Sequence, residues 1–436
     1  MSQQITTIDD QSGTSSWPSL RDTRRPVAGS LGPSGPTWLP RALSVRGLVA
    51  ALGLVALILF FRKPEALLLP QLIADDAVLF RDAWTHGLGV LFEPYAGYTL
   101  VVGRLVAWLG VVSAPVAAIP AFYAIAALAS MLFVCGRLMS PRVTIPHGWV
   151  AALVVPLVPH DGEVYLNLCY IQWSLVLAAF PLLAIEAPTR AREWVGDLST
   201  LALIGLSGPF ILPIAPFFVI AALRDRRSRH RLALAAVASI TALVQIGSLL
   251  GTGTLTQREA AASIVSDGLA AVGTKLLAVT FLGRNIPYDL PAGATAVLGI
   301  VLGLLLVAAL AGITRRGRRM LLATLLAAVA FYALSGVVRV KEDPFNLVPF
   351  GHGDRYFFVP RVLLIWMLLL ALAGRWRRIA AGLLVLVVLS AATTFRTDRP
   401  RWYDWSLWSG AIERGETTSI RVAPYDWTVE IPGRAR

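Results

Sequence analysis

Apolar residues in this chain neither alternate with polar ones nor mark one face of short helices. They run together in long stretches, separated by short segments that carry clusters of arginine. Such runs cover 47–61, 98–114, 118–136, 148–159, 166–186, 198–223, 232–251, 292–313, 320–338, 359–373 and 379–394. Their lengths approach the roughly 17–25 residues with which a helix crosses a bilayer. Strict alternation, the mark of a membrane barrel, is missing, so the expected fold is all-α: a polytopic transmembrane helical bundle of about 10–13 spans. The run 198–223 is interrupted at Ser207-Gly208-Pro209, which predicts two half-helices with their tip near the outer face.

Three regions follow from this pattern. Residues 1–46 are rich in Ser, Thr, Pro and Gly, and such a segment cannot bury enough surface to fold, so a disordered cytoplasmic N-terminal tail is expected. A cleavable leader is not expected, because the first apolar run starts only at Gly47 and no small-residue site follows it. Residues 47–394 form the transmembrane domain. The tail, 395–436, carries Trp402, Trp405, Trp408 and Trp427, then alternating stretches around Ser419–Val422 and Trp427–Ile431. It predicts a short interfacial helix and a small β-hairpin, an extracytoplasmic α/β tail.

Charge orients the bundle. From residue 160 onward the arginine clusters at 190–192, 224–231, 315–319 and 375–378 fall on one side, which the positive-inside rule makes cytoplasmic. The first span then leaves the cytoplasm, with Arg62 and Lys63 snorkelling at its outer end. The loop from Pro64 to Ala96 is extracytoplasmic, and within it Asp76–His86 has helical character, with Val78, Leu79 and Trp84 available to lie on the membrane surface. Two full crossings at 98–114 and 118–136 would put Arg137 and Arg142 outside, against the rule. Either one segment is juxtamembrane or re-entrant, or these two arginines are outside. No internal repeat of the kind found in many transporters is visible.

Composition sharpens the class. At 56% hydrophobic and 15% charged, with a mean hydropathy of +0.66, the chain is not an ordinary soluble protein. The net charge of +13 comes from clusters between apolar runs and forms no stripe that could track phosphates, so no nucleic-acid partner is expected. Cys135 and Cys169 lie in apolar stretches without metal-ligand spacing, as buried inert thiols would. The setting is a cell's cytoplasmic membrane, crossed many times, with the N-terminus inside and the C-terminal tail outside.

Outside the basic clusters, polar residues concentrate in segments assigned to the outer face. Asp75 and Asp76 stand first, since acids beside a bilayer are costly and mark function by default. They could cap the following helix, or one could be a general base while its neighbour holds an acceptor or a divalent metal. Glu93, Tyr95 and Tyr98 precede a span that contains Arg104, a buried-looking cation in need of an anionic partner or a hydrated cavity. Glu163, Asn167, Gln172 and Trp173 open another span, where amides and an indole could tie helices together or line a sugar cavity. In the stretch 351–361, His352, Asp354, Arg355, Tyr356 and Arg361 collect. Arg355 and Arg361 would suit a phosphate clamp, because guanidinium offers paired donors; the alternative is an interfacial anchor or an ion pair with Asp354. His352 has no near histidine with which to bind a metal, and no cofactor is firmly indicated.

With these residues in hand, the chain resembles the GT-C class of integral-membrane glycosyltransferases, in particular polytopic membrane proteins of that type from bacteria, largely actinobacteria. The matching stretches are Pro70-Gln71 with the acidic pair, Pro94-Tyr95-Ala96-Gly97-Tyr98, Asn167 with Gln172-Trp173, Ser207-Gly208-Pro209-Phe210, and Arg355 through Arg361. The resemblance implies an acidic catalytic motif in the first extracytoplasmic loop, with Asp75 or Asp76 as base. It further implies transfer of a sugar from a polyprenyl-phosphate donor to an envelope glycan, lipid or protein, usually with inversion. Relatives carry Glu-Asp-Gly where this chain has Asp75-Asp76-Ala77, so the identity of the acting carboxylate stays open. A transporter or flippase of lipid-linked sugars is the competing expectation, and a non-enzymatic membrane scaffold the third.

Overall fold

A computed structural model describes residues 43–143, 148–252, 270–314, 316–339, 353–397, 400–424 and 427–433. Most of the expected N-terminal tail, and His352 with the preceding loop, lie outside these residues. The principal helices are α1 (Val45–Arg62), α2 (Asp76–His86), α3 (Val101–Ser113), α4 (Ile119–Leu138), α5 (Gly148–Leu157) and α6 (Leu168–Leu183). They continue with α7 (Ala191–Gly205), α8 (Ala215–Arg224), α9 (Arg229–Gly251), α10 (Val272–Leu282), α11 (Ala292–Ala311) and α12 (Arg316–Arg339). Then come α13 (Arg355–Ala371), α14 (Arg377–Thr393), α15 (Ser406–Glu413) and the antiparallel hairpin β1 (Thr418–Val422) and β2 (Trp427–Ile431).

Among the described residues, four helices are long and apolar enough to cross a bilayer: α1, α4 with the turn before it, α9, and α11 from Gly293. Local chemistry sets several boundaries. Ser44 accepts the Gly47 N–H at 3.1 Å to start α1, and Ser228 accepts the Arg231 N–H at 3.3 Å to start α9. The expected break between α7 and α8 falls at Gly208, whose φ of +133° suits a residue without a side chain. Gly205 allows α7 to lie against α9, for a Cβ there would meet Thr241 Oγ1 at 2.2 Å. Helix α13 is buried along most of its length.

Arg62 and Lys63 do not snorkel. Both are fully buried and turned inward. Arg62 donates to the carbonyls of Pro156 (2.8 Å) and Val158 (2.9 Å), while Lys63 donates to Tyr165 O (2.8 Å) and Asn167 Oδ1 (3.2 Å). The cations replace water with a ring of carbonyls from the 156–167 segment, which locks the end of α1 to it. Leu79 is likewise buried, so it is not available to a membrane surface.

Between Tyr98 and Arg137 the two apolar runs form helices of unequal length. Helix α3, about 20 Å long at 1.5 Å per residue, is too short for a hydrocarbon core of about 30 Å. After it, Val116 is held by the tail: its carbonyl accepts the Trp405 indole N–H (2.8 Å) and its N–H is bonded by Glu413 (3.0 Å). Helix α4 then leads to Arg137. There Asp197 of α7, fully buried, pairs with Arg137 (2.6 Å), Arg142 (2.8 Å) and His230 of α9 (3.0 Å). Arg137 and Arg142 are thus tied to α7 and, through Asp197, to the start of α9.

The tail packs back onto the acidic loop. Ala423 forms a bridge with Ile73, and its carbonyl accepts the Ala74 N–H at 2.7 Å. Gln71 bonds the backbone of Arg401 (3.1 Å) and Tyr403 (2.8 Å), and Trp84 donates to Pro432 O at 3.2 Å. Phe80 meets Trp405 edge to face at 5.8 Å.

Candidate functional site

The two adjacent acids face different surroundings. Ala74, with φ of +50° and its N–H held by Ala423, turns the chain sharply before α2. Asp75 is half-buried and lines a cavity of about 550 Å³. Asp76 is only 3% exposed, takes no part in that lining, and accepts the Cys169 backbone N–H at 2.7 Å. Burial pushes the Asp76 carboxyl up to about 6, against the opposing effects of the Cys169 bonds and the Lys63 charge. Asp76 thus fixes the start of α6 to the acid loop, while Asp75 is the carboxylate offered to the cavity.

Seven of the residues expected from the sequence line this cavity together: Asp75, Tyr95, Tyr98, Gln172, Trp173, Arg355 and Tyr356. The tyrosines come from a two-residue hairpin in which Tyr95 and Tyr98 exchange backbone bonds of 2.7 and 3.0 Å. Its central residues, Ala96 (φ +48°) and Gly97 (φ +87°), have the positive φ that such a turn demands. Tyr95 and Asp75 line the cavity together, and burial together with the Asp75 charge raises the Tyr95 hydroxyl far above its usual range. Tyr95 is therefore a lasting donor. Gln172 is buried with no partner for its Oε1.

The opposite wall is aromatic. Trp173 packs on Phe210 (4.4 Å) and Tyr356 (5.4 Å), and the Tyr332 hydroxyl donates to Phe210 O at 2.7 Å. Phe331 and Leu334 of α12 both line the cavity and are exposed on the bundle surface, so its apolar end reaches the outer face of α12.

Arg355 is the cavity's cation. It pairs with Glu163, approaches the Tyr170 and Tyr356 hydroxyls at 3.5 Å each, and lies over both rings at 5.3 and 5.0 Å. Burial works against its charge, but Glu163 and the two tyrosines raise it well above the ordinary guanidinium range. Glu163 itself stands behind Arg355 and does not line the cavity.

Arg361 is not part of a clamp. Fully buried, it donates to Asp354 Oδ2 (2.9 Å) and Oδ1 (2.5 Å) and to the carbonyls of Lys275 (3.0 Å) and Pro159 (3.0 Å). Against the penalty of burial, Arg361 and His160 hold the Asp354 carboxyl well below the usual range. Of the two anticipated arginines, one is thus consumed by Asp354 and only Arg355 remains for a ligand.

Three other expected residues also stand off the cavity. Asn167 is spent on Lys63 and on Glu163 O (2.6 Å). Glu93 is exposed and pairs with His86 at 2.8 Å. Arg104, 2% exposed, lies between Asp82 (3.6 Å) and Glu93 (3.9 Å), with its guanidinium 5.9 Å from the centre of the Tyr95 ring. Its need for an anionic partner is met by loop acids.

His160, Asp161 and Asp354 bring ligand atoms within 4.8 Å of one another. The set fits a metal poorly: both Asp354 oxygens are bonded by Arg361, and His160 Nδ1 accepts the Gly162 N–H at 2.9 Å. Sequence reasoning missed Tyr170, Phe210 as a wall residue, Phe331, Tyr332 and Leu334. The helical runs that contain them read as uniform spans, in which no residue announces a cavity. No family model matches the chain, and no curated protein or solved structure matches it either.

Proposed function

We propose that the protein is a GT-C-like membrane glycosyltransferase that moves a sugar from a polyprenyl-phosphate donor to an envelope acceptor at the extracytoplasmic face. The observation that carries this reading is one cavity that joins a carboxylate, a guanidinium and an apolar portal: Asp75, Arg355, and the wall of Phe210, Phe331 and Leu334. A lipid-linked sugar phosphate has the same three parts in the same order. Its chain would enter past α12, its phosphate would meet Arg355, and its sugar would stack against Trp173, with Gln172 free to bond a hydroxyl.

In this reading Asp75 is the base. It takes the proton of an acceptor hydroxyl as that oxygen attacks the anomeric carbon, and the bond from that carbon to the phosphate oxygen breaks with inversion. Polyprenyl phosphate leaves with its added negative charge beside Arg355. The acid that matters is thus the first of the pair, and Asp76 serves the loop.

The test is mass spectrometry of envelope glycans and polyprenyl-phosphate sugars in a deletion strain complemented with Asp75→Asn. Loss of one sugar from the glycans, with accumulation of its lipid-linked donor and normal protein abundance, is expected. Full product from Asp75→Asn would remove the carboxylate from the mechanism. Donor trapped on the cytoplasmic face would identify a flippase instead.

A further inference from the structure

Gln172 is a polar group in the cavity wall that the fold leaves unanswered. It is 4% exposed, it lines the cavity, and its Oε1 is buried without a partner. Among the described residues nothing engages its Nε2 either. Other amides as deeply buried are spent on the fold: Asn167 on Lys63 and Glu163, and Gln245 on Thr99 and Gly205. A buried amide left unpaired is costly, so its partner is to be sought in what enters the cavity. Its stem packs beside the break between α7 and α8, where a Cβ at Gly208 would stand 3.6 Å from Gln172 Cγ.

Charge narrows the ligand. Among the described residues that line the cavity, Arg355 is the one cation and Asp75 the one carboxylate. With Arg355 engaged by a phosphate, a sugar acid would find no second cation and would meet Asp75. An amide offers an acceptor and two donors side by side, and a pair of neighbouring hydroxyls offers the complement.

We infer that Gln172 selects the sugar: its carboxamide bonds two adjacent hydroxyls of an uncharged sugar, donating through Nε2 and accepting through Oε1. This rests on the reading of the cavity as the site of a lipid-linked sugar phosphate, and it adds the class of sugar that the site takes. A buried group built to bond a hydroxyl rejects an analogue that lacks it more strongly than an apolar pocket can, because the group is then left unpaired.

The test is competition against a fluorescent polyprenyl phosphate bound to the full chain in lipid vesicles. The competitors are bare polyprenyl phosphate and its glucosyl, mannosyl, galactosyl, arabinosyl and glucuronyl derivatives. The readout is the affinity of each sugar lipid relative to the bare lipid. At least one neutral sugar lipid should gain about ten-fold or more, and the glucuronyl lipid should not. Removing either of two adjacent hydroxyls from the best-bound sugar should reduce that gain roughly ten-fold. Gln172→Met keeps the stem and loses the amide; its gain should fall equally, and the deoxy analogues should lose nothing further. The inference is overturned if no neutral sugar lipid outbinds the bare lipid, if the glucuronyl lipid binds as well, or if Gln172→Met keeps the gain. The deoxy series on the unsubstituted protein needs no variant, and equal binding of every deoxy analogue overturns the inference by itself. Failure of the broader reading is distinct: the unsubstituted protein would bind none of these lipids, the bare one included, and the inference would fall with it.

Discussion

Asp76→Asn should make this protein more stable at neutral pH, although it removes one of two adjacent acids at the proposed site. The substitution keeps the size of the side chain and an oxygen that can accept the Cys169 N–H, now bonded at 2.7 Å. What it removes is a charge that burial opposes. The carboxyl stands at about 6 in the folded protein, against an ordinary value of 3.8, so the folded state binds the proton more tightly than the unfolded state. Its contribution to stability is therefore fully present below pH 3.8 and is lost as the pH rises through about 6. A shift of roughly two units corresponds to about 3 kcal/mol between those limits, an upper bound for what Asp76→Asn can return. Thermal unfolding of the solubilised protein at pH 4 and pH 7.5 reads this directly. The variant should match the unsubstituted protein at pH 4 and exceed it at pH 7.5. Destabilisation at pH 7.5, or a difference that ignores pH, would refute the reasoning and assign Asp76 a charge that the fold depends on.

Two further outcomes separate structural from ligand-facing groups. Arg361→Met leaves Asp354 buried without its partner and should cost about 3–5 kcal/mol in unfolding measurements. Arg355→Met strips buried Glu163 of its partner and should also cost stability, but it alone should weaken binding of a synthetic polyprenyl phosphate to the folded protein, so equal binding by the two variants would erase the distinction drawn between them. A chain ended after residue 397 lacks the Ala423 carbonyl that holds the Ala74 N–H, and hydrogen exchange at that amide should quicken at least roughly ten-fold. Unchanged protection would show that the tail does not brace the loop.

The helices were legible because long apolar runs and their polar interruptions state where a segment can lie in lipid. Even the break before Pro209 and the hairpin after Thr418 follow from local chemistry. The site was legible only in part. Asp75, Tyr95, Gln172 and Arg355 stood out because polar groups beside apolar runs need a reason. The same rule also selected Arg104, Asn167 and Arg361, whose reasons are partners in other segments: Asp82, Lys63 and Asp354. Sequence shows that a cation needs an anion, but not whether a ligand or the protein supplies it. Arg62 and Lys63 misled for the same cause, since the carbonyls that satisfy them come from about a hundred residues downstream. Tyr332 and Phe331 were silent because an aromatic in a span looks alike whether it faces lipid, core or cavity.

The junction of Ala74 with Ala423 also has a meaning in time. The acid loop follows α1, and the residue that pins it, Ala423, is synthesised only after helices α1 to α14. A ribosome-bound chain can insert its helices and still lack the final shape of the turn before Asp75. The proposed centre would thus be completed by a segment made after those helices, so that partly synthesised or truncated chains in the membrane would carry the carboxylate without its proper aim.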